Sequence, residues 1–392
     1  TDHRSPITDR GSRIAAAASE ASYTAPMPGR RPDSEPDPAL PLGALFDDDA
    51  PAPSAARGRA SADRAVQPAS VTDELRQLAR HLPPAVHLGT SSWGFAGWRG
   101  LVYGDSYGES QLSRHGLAAY AQHPLLRAVG IDRSFYQPLP QSDFARYAAQ
   151  VPEHFRFLVK APALIADAVL RGDGGLPAGP NAAFLDADIT REQFVEPALR
   201  GLGMRAGPLV FQLSPLPRAM TAGDAAHALM HRIGAFIDAL PREVDGIAPV
   251  YAVELRNAEL LTPRFVKTLR QVGARLCIGV HARMPPAARQ AAALRAMDSE
   301  ARGEDWQLAG PLVVRWSLQS GFKYDEAKNR YAPFDRLIDP DLTTRGTLAH
   351  LIHVAIKSSQ PAYVIVNNKA EGSAPMSCVE LARAVIAAPS AH

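Results

Sequence analysis

Cysteine is scarce in this chain: Cys277 and Cys378 are the only two among 392 residues. They form no CxxC pair and no zinc-ligand spacing, so a disulfide framework and a structural zinc site are both excluded. They read instead as small core residues of a protein kept in a reducing compartment. Long apolar runs are also missing. No stretch approaches the roughly 18 residues that would span a bilayer. Residues 14–19 are too few and too weakly apolar for a signal-peptide core, so the expected setting is the cytoplasm, away from membranes. Charge of one sign is not in excess. A net charge of +2 is too small for a protein that coats nucleic acid, although it allows a local basic patch. No G-x-G-x-x-G follows the first apolar run, and there is no Walker-type phosphate loop, which argues against dinucleotide and P-loop folds. Neither a G-x-S-x-G elbow nor a Ser-His-Asp arrangement is visible, which disfavours a serine hydrolase.

What is present divides into two textures. Residues 1 to about 70 are rich in Pro, Ala, Ser, Asp and Arg, with Tyr23 and Phe46 the only aromatics. Such a segment buries too little apolar surface to offset its ordering entropy, so a disordered tail is expected there. The run Asp47-Asp48-Asp49 reads as a solvated cluster, since nothing near it fixes a metal geometry. From about residue 71 to 392 one folded domain is expected. Short apolar runs at 86–92, 128–134, 155–160, 208–213, 249–254, 275–280, 312–315 and 363–367 alternate with segments of helical period. Helices are expected over 141–151, 222–240, 286–297, 343–359 and 375–388. One more opens on a capping box at Thr190 and Gln193, and another on Thr262-Pro263, a cap followed by a proline at the first helical position. Strand–helix alternation repeated about eight times is the pattern of a closed α/β barrel of the TIM (β/α)8 type; a doubly wound open sheet is the competitor.

Several strand ends carry recognisable sequence. The first leads into Gly89-Thr90-Ser91-Ser92-Trp93-Gly94-Phe95-Ala96-Gly97-Trp98-Arg99-Gly100. The second ends Ile131-Asp132-Arg133-Ser134-Phe135-Tyr136, the third Lys160-Ala161-Pro162, and the fourth Gln212-Leu213-Ser214-Pro215. The eighth reads Val366-Asn367-Asn368-Lys369-Ala370-Glu371-Gly372-Ser373-Ala374-Pro375. Together and in this order they resemble the domain-of-unknown-function 72 family, a widespread bacterial family of TIM-barrel-like proteins. The resemblance runs over residues 86–388. It implies the barrel and no particular reaction. The chain departs from that family's pattern in places. Gly130 stands where a pore-facing glutamate is usual, Ala166-Asp167 where Thr-His is usual, His281 where an aspartate is usual, and Ser317 in place of a histidine. These departures imply shifted specificity or lost activity.

Barrel geometry converts strand ends into a candidate site. Side chains alternate between the interior and the surrounding helices, and ligand sites form at the C-terminal ends of the strands. In Ala252-Val253-Glu254-Leu255-Arg256 the alternation puts Glu254 and Arg256 on one face, and pairing between them makes their burial tolerable. The expected ring contains Ser92, Trp93, Trp98 and Arg99 from the first strand and its loop, Asp132, Ser134 and Tyr136 from the second, Lys160, and Gln212. Glu254 and Arg256 follow, then His281, Arg315, Asn367 and Asn368. Glu254, Lys160 and Asp132 are the candidate catalytic groups. Glu254 and Asp132 also make a candidate acid/base pair, although strands two and five stand well apart around a barrel. Ser373, leading into the last helix, is a candidate phosphate ligand or a plain N-cap. His281 with Glu254 falls short of the three or four ligands a metal needs, so neither metal nor cofactor is expected. Arg99, Lys160, Arg256 and Arg315, joined by His281 when protonated, outnumber the carboxylates, and arginine forks suit carboxylate or phosphate. The tryptophans and Tyr136 offer flat faces to a ring. The reading is a hydrolase or lyase acting on an anionic substrate, such as a phosphorylated sugar or a nucleotide. The alternative is a non-catalytic barrel binding an anionic ligand or nucleic acid.

Overall fold

A computed structural model of the chain describes residues 65–172, 177–299, 306–319, 322 and 324–387. The expected tail, up to residue 64, lies outside them. Eight parallel strands close into a barrel: β1 (Val86–Thr90), β2 (Leu126–Ile131), β3 (Arg156–Lys160), β4 (Ala206–Gln212), β5 (Tyr251–Glu254), β6 (Arg275–Val280), β7 (Leu312–Trp316) and β8 (Ala362–Val366). Each strand pairs with its neighbours in sequence, and β8 returns to β1 with Val86 beside Ala362 and Thr90 beside Val366. This closure rules out the doubly wound sheet. The expected first and second strands run past the pairing, because after Ile131 the backbone turns into a short 3-10 helix, Arg133–Phe135.

Two shells of apolar side chains flank the strands. The larger lies between strands and helices. The smaller fills the barrel itself and consists of Ala128, Leu158, Val210, Ala252, Cys277, Val313 and Ile365. Because side chains alternate in and out, these residues fix which face of each strand points inward. Cys277 belongs to this inner shell, and Cys378 lies against β1 with its Sγ 3.4 Å from the Gly89 carbonyl; both are free and buried.

The helices start where local chemistry offers a cap. Thr262 accepts a hydrogen bond from the Phe265 amide at 3.2 Å, and Pro263 takes the first helical position, as the sequence suggests. Thr190 does not act as a cap. Asp186 does so one turn earlier, accepting from the Ile189 amide at 2.9 Å, and the Thr190 hydroxyl donates back to the Asp186 carbonyl within the helix. Aspartate is as good a cap as threonine, and a buried threonine hydroxyl is readily satisfied four residues back. Three further features were not anticipated. A helix, Asp73–His81, precedes β1. Residues before it already dock, with the Ala69 amide donating to the Val102 carbonyl at 2.9 Å, so the folded part begins before residue 70. Finally, Val169–Arg171 and Pro177–Pro180 pair as an antiparallel ribbon after β3. Among the described residues no helix is long and apolar enough to cross a membrane.

Candidate active site

One inward step beyond the apolar inner shell, two residues further along each strand, the barrel interior becomes polar. The positions are Gly130, Lys160, Gln212, Glu254, Gly279, Arg315 and Asn367, with Asp132 and Arg256 one step further out. Lys160 and Glu254 are completely buried, whereas Arg315, Arg256 and Asp132 keep 4, 7 and 9% of their surface, which places them on the solvent side.

Arg315 ties the layer together. Its Nη2 donates to both oxygens of Asp132, at 2.9 and 2.8 Å. Its Nη1 donates to Gln212 Oε1 at 2.8 Å and Glu254 Oε2 at 2.7 Å. Arg256 Nη2 lies 2.7 Å from Glu254 Oε1 and donates to Gln212 Oε1 at 3.0 Å. The parity reading of Glu254 and Arg256 therefore holds. The concern that Asp132 and Glu254 sit too far apart does not: a single guanidinium from β7 touches both carboxylates across the narrow interior. Gly279 makes this possible, since a Cβ there would lie 2.9 Å from Glu254 Oε1.

The surroundings set the charge states. Burial alone would raise the Glu254 pKa, but the guanidiniums of Arg256 and Arg315 overcome it and hold the carboxylate below its usual range. Lys160 goes the other way. Burial, with Arg315 and Arg256 adding to it, holds the amine well below the ordinary lysine value against the pull of Asp132 and Glu254. Its Nζ lies 3.6 Å from the centroid of the Phe135 ring. Ser134 braces this corner by donating to the carbonyls of Lys160 at 2.6 Å and Ile131 at 2.8 Å. His281 is half-buried, and burial followed by Arg256, Arg283 and Arg315 pushes it down to about 2, so it is neutral and adds nothing to the positive charge.

Other expected members lie elsewhere. Arg99 is exposed on the loop after β1, outside the cluster, so three of the four expected cations converge and one does not. Trp93 and Trp98 are core residues. Trp93 packs edge-on against Tyr147 and donates to the Ser113 carbonyl at 3.3 Å. Trp98, fully buried between Phe95 and Tyr120, donates to Asn368 Oδ1 at 3.2 Å. Tyr136 is 45% exposed and packs edge-to-face with Phe135. Asn367 is half-buried and donates to Ser91 Oγ at 2.9 Å. Asn368, rather than Ser373, caps the last helix: its Oδ1 accepts from the Ala374 amide at 2.9 Å, and the Ser373 side chain is fully buried. That occupied amide argues against a phosphate seat at this helix start. Among the described residues no three His, Cys, Asp or Glu side chains gather as a metal site.

Sequence reasoning missed a second buried polar knot beyond β8. Glu371 accepts from Arg345 Nη2 at 2.6 Å and from the Asp341 amide at 2.7 Å. Beside it Lys369, 5.9 Å from the Phe334 ring centroid, is pushed down by burial to about 7. It also missed Phe135 and Gly279. Phe135 stands between two residues already singled out, and alternation on β6 would have marked Gly279 as an inward gap beside Glu254.

A family model described as protein of unknown function DUF72 matches residues 87–391. The chain belongs to the DUF72 family. A crystal structure of a DUF72 protein from Enterococcus faecalis, 18% identical, superposes with a TM-score of 0.50 over 76% of this chain and 95% of that one, which shows the shared fold. A DUF72 protein from Thermotoga maritima is 16% identical, with a TM-score of 0.49 over 76% of this chain and 98% of that one. A structure described as a methyltransferase from Methanosarcina mazei is 12% identical with a TM-score of 0.39 over 80% of this chain and 96% of that one; likeness at this level carries no functional argument. No protein of curated function matches. The DUF72 assignment gives the barrel and leaves the chemistry to be argued from the site.

Proposed function

We propose that this DUF72 protein is an enzyme, a lyase or hydrolase, acting on an anionic substrate such as a phosphorylated sugar or a nucleotide at the C-terminal mouth of its barrel. The observation that carries this reading is the hydrogen-bonded layer of Asp132, Gln212, Glu254, Arg256 and Arg315, with the buried amine of Lys160 beside it. Desolvating charges costs several kcal/mol each unless pairing offsets it, so a purely structural barrel is better served by apolar residues. Perturbed groups gathered at this end of a barrel are the usual mark of chemistry. In this reading Lys160 and ionised Glu254 accept protons. Arg256 meets the anion, Arg315 and Gln212 hold Glu254 in place, and Asp132 lines the entrance. Tyr136 offers its face to a ring. The cytoplasm is the proposed setting.

The reading is tested by thermal shift with phosphate, sulfate, sugar phosphates and nucleoside monophosphates. A ligand at ten times its Kd stabilises by about 1.4 kcal/mol, enough to raise the melting temperature measurably. No shift with any of them at millimolar concentration ends the proposal. An anion favours the protonated amine of Lys160, so binding takes up a proton and affinity falls as pH rises. Glu254→Gln is expected to retain binding and lose turnover.

A second reading, a non-catalytic barrel that binds an anionic ligand or nucleic acid, draws on Gly130 and on the engagement of both Arg315 Nη groups within the protein. Nucleic-acid binding would weaken steeply with salt; a flat response argues against it.

A further inference from the structure

We infer that Lys160 is a nucleophile that captures a carbonyl compound bearing a negative charge and holds it as an imine inside the barrel. The inference rests on the proposed active site and names its substrate class. It begins with the choice of residue. The chain has 36 arginines and only six lysines: Lys160, Lys267, Lys323, Lys328, Lys357 and Lys369. The ion pairs in the polar layer and in the knot beyond β8 are made by arginine. In these described pairs the fixed positive charge is a guanidinium. A guanidinium keeps its proton, whereas an amine can release one and attack carbon. A lysine at the most buried point of an arginine-built cluster therefore supplies a different chemistry.

The surroundings fit that chemistry. Asp132 and Glu254 balance Arg256 and Arg315 before Lys160 is counted, so the layer is electrically neutral when the amine is uncharged. Burial favours that uncharged form. The Phe135 ring against the amine walls off water on one side, and its π face steadies a cationic nitrogen once one forms. In the reaction the nitrogen lone pair attacks the carbonyl carbon, a C–N bond forms, and the C=O π pair moves onto oxygen. A proton passes from nitrogen to that oxygen, giving the carbinolamine. The oxygen then takes one more proton and leaves as water while the nitrogen lone pair forms C=N. The sum is amine, carbonyl and one proton giving iminium and water, with no redox change. The iminium adds one positive charge to a balanced cluster, and an anionic group on the substrate cancels it. Arg256 Nη1, buried and without a hydrogen-bond partner among the described residues, is placed to hold that group.

The test is reductive trapping on the full chain at neutral pH. Glyoxylate, a small anionic aldehyde, and propionaldehyde, a neutral one of similar size, are each added with cyanoborohydride, and adducts are mapped by peptide mass. Ordinary lysines are unprotonated in only about one molecule in a few thousand at pH 7. With glyoxylate the adduct at Lys160 is therefore expected to exceed that at exposed Lys267 and Lys357 at least tenfold, and to exceed the propionaldehyde adduct. Lys160→Arg and Lys160→Met should each lose it. An adduct at Lys160 no larger than at Lys267 overturns the inference, and equal trapping of both aldehydes overturns its anionic part. Thermal shift with phosphate, sulfate, sugar phosphates and nucleoside monophosphates is run in parallel. A rise in melting temperature without trapping removes the carbonyl class and leaves the anionic-substrate reading; neither response removes both.

Discussion

Two rings inside the same barrel, two residues apart on each strand, are built on opposite principles. The inner one, Ala128, Leu158, Val210, Ala252, Cys277, Val313 and Ile365, is uncharged and holds the strands by burial and close packing. The outer one replaces four of these positions with Lys160, Gln212, Glu254 and Arg315 and two with glycine, at Gly130 and Gly279. The first is what closing a barrel requires. The second adds desolvation cost and confines every member to one arrangement, and the glycines leave room for a neighbour's carboxylate. A barrel that needed only to fold would repeat the first ring, and the contrast locates function in the second.

Substitutions can break this contrast, with effects of different size and sign. The largest is expected for Arg315→Met, which strips the counter-charge from Asp132 and Glu254. Breaking a buried pair costs about 3–5 kcal/mol, read by denaturant unfolding; a cost below about 1 kcal/mol would mean the outer ring is not held by pairing. Leu158→Ala in the inner ring should cost about 3 kcal/mol through lost burial and a cavity, with no pH dependence. Lys160→Met should have the opposite sign and raise stability at neutral pH. Each unit by which the lysine pKa is depressed corresponds to about 1.4 kcal/mol. The folded state keeps this amine neutral while the unfolded chain protonates it. Wild-type stability therefore rises with pH from the depressed pKa up to the ordinary lysine range, and is lost as pH falls through the depressed value. The methionine variant should show no such rise; destabilisation instead would mark Lys160 as a structural ion-pair partner. Thr262→Ala, remote from both rings, should cost about 1 kcal/mol through its lost cap and leave ligand shifts unchanged.

The same two rings show what a sequence discloses. Strand positions were legible because apolar runs alternate with helical segments; the shared face of Glu254 and Arg256 followed from alternation, and the placing of Lys160, Gln212 and Arg315 at the mouth from their position at strand ends. Loop residues were not, because alternation ends with the strand: Trp93 and Trp98 turn into the core, and Arg99 turns out to solvent. Charge state was beyond reach as well. His281 is neutral because burial, with Arg256, Arg283 and Arg315 adding to it, disfavours its charged form, and the apparent positive excess dissolves once Arg256 and Arg315 are seen paired to carboxylates. The Thr190 and Ser373 caps failed for a related reason: Asp186 starts its helix one turn before Thr190, and the more distant Asn368 takes the first amide of the last helix, choices that only the fold decides.

Only six lysines make the central claim directly measurable. Titrating the lysine side chains by NMR, with Lys160→Arg to assign the signal, should show Lys160 losing its proton well below the ordinary lysine pKa of about 10.4. A Lys160 signal that titrates with those of exposed Lys267 and Lys357 would contradict the account: the amine would then be one more fixed charge, and the outer ring a structural network.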